Sequence, residues 1–425
     1  MGDRGQDAEV VVVGGGAMGS ATAWALARQG VRVVLLERFE PGHVRGASHG
    51  VGRIFRLGYA DPLHVRLAQH AHGWWDVLQA ESGEQLLTLN GCVDHGPAAA
   101  LRQLTQTLTE CDVPFEYLTA REAHARWPGM RFDDRVVFQP VAGRAHADRT
   151  VATLQSEAVR HGAQVRHGVR VLGIDVVPDG VVVRVAAEAP SARGGHPAAT
   201  PGDVEELRAA TVVVAAGAWS EGLLAGVPGF EALASLVVTQ EQPAHFPVRD
   251  AALVADDSWP SFIHHVDPQA HAEARGELGA DDDYPALGVY GHHTPGVGIK
   301  VGHHGTGPVV DPDARDFAAE PMRLAALREY VDAWFPGVDS SVPEPVSCTY
   351  TTTPDGLFVL DRVGPVVVGG GFSGHGFKFT PGIGQVLAAL ATGAGPNVPG
   401  VDLGAFSLAR FAVEPVPAAA DVPVA

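Results

Sequence analysis

The chain has 425 residues, 46% of them apolar, a mean hydropathy of +0.06 and a net charge of −19 with histidine neutral. That length holds two domains with a sizeable core, and the acidic balance excludes nucleic acid or an anionic membrane as partner, since either needs a basic surface. No stretch reaches the roughly 18 apolar residues of a spanning helix, and three unevenly spaced cysteines (Cys92, Cys111 and Cys348) do not make a secreted disulfide framework.

The polar leader with Asp3, Arg4 and Asp7 predicts no signal peptide, so the expected compartment is the cytoplasm. A strand is predicted from about Ala8 through the run Glu9–Val13, apolar and β-branched as in a buried parallel sheet. Gly14-Gly-Gly16-Ala-Met-Gly19 follows at once, and Ser20–Gln29 has a helical pattern. In such a turn Gly14 permits the tight bend, Gly16 lets the backbone approach a pyrophosphate, and Gly19 allows close helix–strand packing. Ala17 and Met18 open the helix, whose N–H groups and dipole favour phosphate. The next strand, Val31–Leu36, ends at Glu37, where an acid would accept hydrogen bonds from a ribose, with Arg38 beside it. Strand, glycine turn, helix and acid together predict dinucleotide binding.

Further along, Ala187–Glu206 is polar and reads as an extended hairpin loop between two Val-rich strands. Ala209–Ser220 is a strand running into a Gly217-Ala-Trp219 turn. The stretch Asp267–Tyr284, with Asp281-Asp-Asp283, reads as a solvated insertion before a strand at Ala286–Tyr290. Val366-Val-Val-Gly-Gly-Gly-Phe-Ser-Gly374 enters glycine loops and leads to Thr380-Pro381, predicted as an N-cap and first helical residue. The helix Gly382–Thr392 would then point its N-terminus at a reduced flavin ring and stabilise its negative charge. The last dozen residues read as a loose tail.

Lysine occurs twice against 28 arginines, at Lys300 in Gly296-Val-Gly-Ile-Lys-Val-Gly302 and at Lys378 in Gly374-His-Gly-Phe-Lys-Phe379. Both strings read as buried turns or strands, where an ammonium is a compact charge with a pKa that burial moves and a guanidinium is not. The pairs His264-His265, His292-His293 and His303-His304 do not predict a metal site, because neighbours on a strand point to opposite faces.

Ser48-His-Gly-Val-Gly-Arg-Ile-Phe-Arg56, Ser347-Cys-Thr-Tyr-Thr-Thr-Thr-Pro-Asp355 and Gly371-Phe-Ser-Gly-His-Gly-Phe-Lys-Phe379 carry a resemblance to the monomeric sarcosine oxidase family of flavoprotein amine oxidases, from about residue 8 to residue 405. The resemblance implies an α/β fold in which a Rossmann-like, three-layer FAD domain (residues 1–85, 144–224 and 355–410) carries an inserted mixed-sheet α+β substrate domain (86–143 and 225–354), with 411–425 as tail. It implies FAD held by Gly14, Gly16, Ala17, Met18, Gly19, Glu37, Arg38, Ser48, Val171, Gly217, Trp219, Gly374, Gly376 and Lys378, and joined covalently to Cys348. A thiolate there would add to the flavin 8α-methyl carbon with a cation nearby.

His49 and Arg53 are implied to lie close to the flavin ring, Arg56 and Lys378 to clamp a substrate carboxylate, and Lys300 to face flavin N5 and promote reaction with dioxygen. Tyr290, His304 and Tyr350 would line the amine side. The implied activity is oxidation of a secondary amine α-amino acid such as sarcosine to an imine and hydrogen peroxide, by a monomer whose partners are that amino acid and dioxygen. Three other readings stay open: an oxidase of a cyclic imino acid or natural-product intermediate, a dehydrogenase passing electrons to a protein, and a non-catalytic flavin-binding amino-acid sensor. Two features depart from the family pattern. Gly52 stands where a polar residue is common, which would loosen the turn over the flavin, and the acidic insertion lengthens the substrate domain.

Overall fold

A computed structural model describes residues 6–188, 204–254, 258–265 and 288–411. The strand Ala8–Val13 is buried on both faces. Val10 and Val12 enter a core shared with Trp24, Trp75 and Leu387, whereas Val11 and Val13 enter a second core with Val34, Val181 and Val183. Each such valine contributes about 1.5–3 kcal/mol on burial, so after the exposed Glu9 the strand has no solvent face on which to place polar residues, and Val10–Val13 reads as an unbroken apolar run.

That strand pairs in parallel with Val33–Leu36 on one side and Glu205–Val214 on the other, and Val33–Leu36 pairs in parallel with Gln164–Arg166. The Glu205–Val214 strand forks the sheet. Its C-terminal half takes Val366–Gly370 as a further parallel neighbour (Val213↔Val367), while its N-terminal half pairs antiparallel with Gly180–Ala187, which continues to Val169–Val177. One long strand therefore belongs to two layers. The hairpin predicted around Ala187–Glu206 is present as this antiparallel pair, and most of its loop lies outside the described residues.

The helices Ala17–Arg28, Pro62–Ser82 and Thr380–Thr392 cover one face of this sheet. Every residue from Ala17 to Ala27 is buried, as expected of a helix lodged between a sheet and other helices. Thr380 differs from its prediction. The chain is already helical at Phe379 because the 3₁₀ turn Gly376–Phe379 runs directly into the helix, so Thr380 is the first helical residue and not the cap. Its hydroxyl donates to the Phe377 carbonyl at 2.6 Å instead of accepting from an amide.

A second eight-stranded sheet runs in the order Glu344–Pro345, Ala244–Phe246, Gly298–His303, Val289–Thr294, Ser261–His264, Cys92–Gly96, Arg135–Gln139, Glu116–Thr119. It is antiparallel except where Ser261–His264 meets Cys92–Gly96. The helix Pro321–Trp334 packs Leu327 and Val331 into its core with Phe262 and Ile299. Two smaller sheets join the parts: Val237–Glu241 with Cys348–Thr352, and Arg53–Phe55 with Gly143–Ala145 and Leu87–Thr88. The acidic stretch Asp267–Tyr284 lies outside the described residues.

Candidate active site

A cavity of about 1180 Å³ opens at the C-terminal end of the first strand, larger than the roughly 300–1,000 Å³ that holds a drug-sized ligand. Its floor is the glycine turn, where Gly14 has φ +103° and a Cβ on Gly19 would lie 1.8 Å from the Gly14 carbonyl oxygen. The helix behind it begins without an acidic residue in its first turn and without a side-chain cap at Gly16. Gly14, Gly16, Ala17, Met18, Glu37, Arg38, Ser48, Val171, Gly217, Trp219, Cys348, Gly374 and Gly376 all line the cavity, as do His49, Arg53 and Tyr350. Gly19 and Lys378 do not line it: Gly19 lies beneath the turn against Val12, and the Lys378 ammonium points to Tyr59.

Glu37 accepts hydrogen bonds from the Gly15 amide at 2.7 Å and the Phe39 amide at 2.9 Å, so the acid that ends the second strand also fixes the glycine turn. Ser48 accepts from the Ala17 amide at 2.9 Å. Asp313 was not singled out in the sequence. It joins two residues that were, accepting from Arg38 at 2.6 Å and from the Trp219 indole at 2.9 Å.

At the other end of the cavity Cys348 begins its strand, buried, opposite Glu241. Lys300 and Arg315 both lie within Coulomb reach of its sulfur, and Arg315 also donates to the Arg45 carbonyl at 2.5 Å. Arg53 donates to the carbonyls of Ala47, Gly52 and His49 and so pins the loop that carries His49. Burial, then the Arg53 guanidinium, pulls Lys300 down to about 7. Burial with Arg53 and Lys300 takes His49 down to about 3, so its ring is neutral.

A second group adjoins this end. The Tyr350 hydroxyl meets His304 Nδ1 at 3.3 Å and donates to Tyr290 at 3.5 Å. Lys378 donates to the Tyr59 hydroxyl at 2.7 Å and to the His375 carbonyl at 2.6 Å. The Arg56 guanidinium lies 4.7 Å from the centre of the Tyr59 ring, so one tyrosine that the sequence reading passed over holds both predicted clamp cations. Arg56 also faces Asp94 at 3.5 Å. Asp94 is fully buried and accepts from Gln139 at 2.6 Å and His265 at 2.9 Å. Burial alone would raise the Asp94 carboxyl, and Arg56 with His265 overcomes this and holds it below its usual value. Burial, then Arg56, pushes Lys378 well below its ordinary range, while burial with Lys378 and Arg56 takes His304 down to about 4.

A family model described as FAD dependent oxidoreductase (DAO) matches residues 9–390, nearly the whole chain. The chain belongs to the FAD dependent oxidoreductase family. It is similar to monomeric sarcosine oxidase of Bacillus sp. (strain NS-129), 29% identical over 417 residues that cover 96% of this chain and 97% of that one. It is also similar to N-methyl-L-tryptophan oxidase of Yersinia pestis (strain Pestoides F), 28% identical with 95% and 100% covered. Among solved structures, NikD, an amino acid oxidase essential for nikkomycin biosynthesis, shares the fold at a TM-score of 0.75, with 24% identity and 95% and 97% covered.

The cavity suits the cofactor of an FAD dependent oxidoreductase. An acid-free helix N-terminus fits a pyrophosphate, and Glu37 keeps unused lone pairs for a ribose. His49 lines the same cavity, and its buried Nε2 has no protein partner.

Proposed function

We propose that this FAD dependent oxidoreductase oxidises a secondary amine α-amino acid, sarcosine or another N-methyl amino acid, to its imine, with dioxygen as acceptor and hydrogen peroxide as product. The observation that carries this reading is the pair Arg56 and Lys378, two cations sharing Tyr59 against the single buried carboxylate of Asp94. With Lys378 charged that set has a surplus of one positive charge, and an α-carboxylate would offset it and hold the ammonium against the downward pull of burial and Arg56. A dry pocket makes the match count, because charge-assisted bonds there are roughly twice as strong as neutral ones.

Among the described residues the amine side has no free carboxylate to stabilise an ammonium, since Asp94 and Glu241 are both engaged. His304 is neutral, and burial raises the Tyr290 and Tyr350 hydroxyls so that they stay protonated. Such surroundings favour the neutral amine, which is the form that can be oxidised. FAD, when bound, accepts the two electrons and hydrogen of the amine C–H bond and passes the electrons to dioxygen. Lys300, within Coulomb reach of Cys348, would supply a positive charge for the dioxygen step, and the imine would hydrolyse in water.

Further parts of the reading are a thioether between Cys348 and the flavin 8α carbon, a monomeric cytoplasmic enzyme, and the division into the FAD and substrate domains drawn above. Lys300 and Arg315 near the sulfur support the thioether, because both would stabilise a thiolate. Peroxide release with sarcosine, N-methyl-L-tryptophan and pipecolate tests the reaction. Release with an N-methyl amino acid is expected, and release with none of the three would overturn it. In acid-precipitated protein the yellow colour should stay in the pellet; colour in the supernatant would remove the thioether.

A further inference from the structure

Lys300 lies in a row of ring nitrogens for which the proposed reaction has no use. His245 and His292 flank it on the two neighbouring strands, each directly opposite it in register, and opposite residues point to the same face of a sheet. His49 faces them from the loop before Arg53, with its ring bonded to the backbone of Ser347. All three histidines are buried, and the Nε2 atom of each has no hydrogen-bond partner in the protein.

His292 shows which way its ring is set. Its Nδ1 lies 3.1 Å from the His293 carbonyl, which can only accept, so Nδ1 carries the proton and Nε2 presents a lone pair. Gly52 makes the room. A Cβ at Gly52 would lie 2.5 Å from His292 Cε1, so the small residue that reads as a loosened turn is the space into which the imidazole fits.

The charged and titratable groups facing Lys300 are Arg53, Cys348 and Asp148, with Glu344 beyond His245 at the sheet edge. Asp148 is held by the Gly50 amide at 2.7 Å. Among the described residues no carboxylate stands within ion-pairing distance of Lys300. Burial, then Lys300, takes His245 down to about 4 and His292 well below its usual value, which leaves both as neutral acceptors.

We propose that His245 and His292, with His49 opposite, are positioning residues whose buried, neutral ring nitrogens favour the charged form of Lys300 where no counter-ion is present. The proposal rests on the reading that Lys300 serves the dioxygen step.

The composition makes the test direct. Holoenzyme grown with ¹³C-labelled lysine gives one Cε signal from Lys300 and one from Lys378, and the former is assigned by its loss in Lys300→Met. In His292→Leu and in His245→Leu the Lys300 titration midpoint should fall by about one unit, a tenfold loss of proton affinity, while the Lys378 signal stays in place. His292→Gln keeps an acceptor and should recover most of the fall. A midpoint that is unmoved or raised in the leucine variants would overturn the proposal, and if one variant does not fold the other decides. Fast reaction of reduced Lys300→Met with dioxygen would remove the oxygen role and leave the lysine–histidine coupling standing. Slow reaction in Lys300→Met together with an unmoved midpoint in the leucine variants would do the reverse.

Discussion

Lys300 and Lys378 carry the same ammonium group in different electrical surroundings. Lys378 has two firm acceptors and Arg56 nearby, whereas Lys300 has neutral imidazoles and Arg53. Lys378→Met should weaken amine binding and slow anaerobic flavin bleaching by about thirty- to five-thousandfold, the range of about 2–5 kcal/mol for truncating one partner of a buried charged contact. Lys300→Met should leave bleaching nearly intact and slow reoxidation by about 10²–10³, as for loss of one preorganised electrostatic contact. Stopped-flow spectra of the two half-reactions check both, and failure of both variants in the same half-reaction would end the division of labour. The pH dependence has a definite sign. Lys300 is cationic below about 7 and neutral above it, so the rate of reoxidation should decline as pH rises through that value, and a rate that climbs there would contradict the role. Both lysines were legible because each sits in a short apolar glycine string. Asp94, His245 and His292 were not, because strand register alone brings them to Arg56 and Lys300, and register is not written in any one segment.

Among the elements, the strand–turn–helix at Ala8–Arg28 was the most readable, since each part is fixed by its own residues: β-branched side chains, a glycine turn, then small helical residues. Its tightest point is Gly19. Gly19→Ala would drive a methyl group into the Gly14 carbonyl and lift the helix N-terminus from the turn. The expected result is protein that is soluble but poor in flavin, visible as a lowered ratio of yellow to protein absorbance; full flavin content would show that the turn can yield. The Thr380 assignment went wrong for a related reason. A Thr-Pro pair signals a cap when the chain arrives extended, but here a 3₁₀ turn that buries Lys378 and Phe379 delivers it already coiled.

Taken whole, the molecule stands on a forked strand, Glu205–Val214, whose two sets of neighbours come from remote parts of the chain. The opening strand–turn–helix was legible from its own residues and the α/β class from the family resemblance, while the fork was not, since the strands that pair with its polar first half and its apolar second half come from remote segments. A cavity walled by so many segments ties cofactor loading to stability, because a ligand that binds only the folded state stabilises it according to its concentration. If Cys348 holds the flavin covalently, the melting temperature of the parent enzyme should not change on dilution. That of Cys348→Ala should fall on dilution as free flavin is lost, and identical dilution behaviour in the two would argue against the bond.

The fork also bears on how the protein is made. Val366–Gly370 is synthesised long after Val212–Val214, yet it covers the open side of that strand. Until it arrives, Val212–Val214 presents unpaired backbone on an apolar edge, a template for pairing with other nascent chains. Gly371–Phe377, which closes the flavin cavity, follows it. The cavity is therefore complete only once this late segment has emerged, and until then the growing chain carries an exposed apolar strand edge.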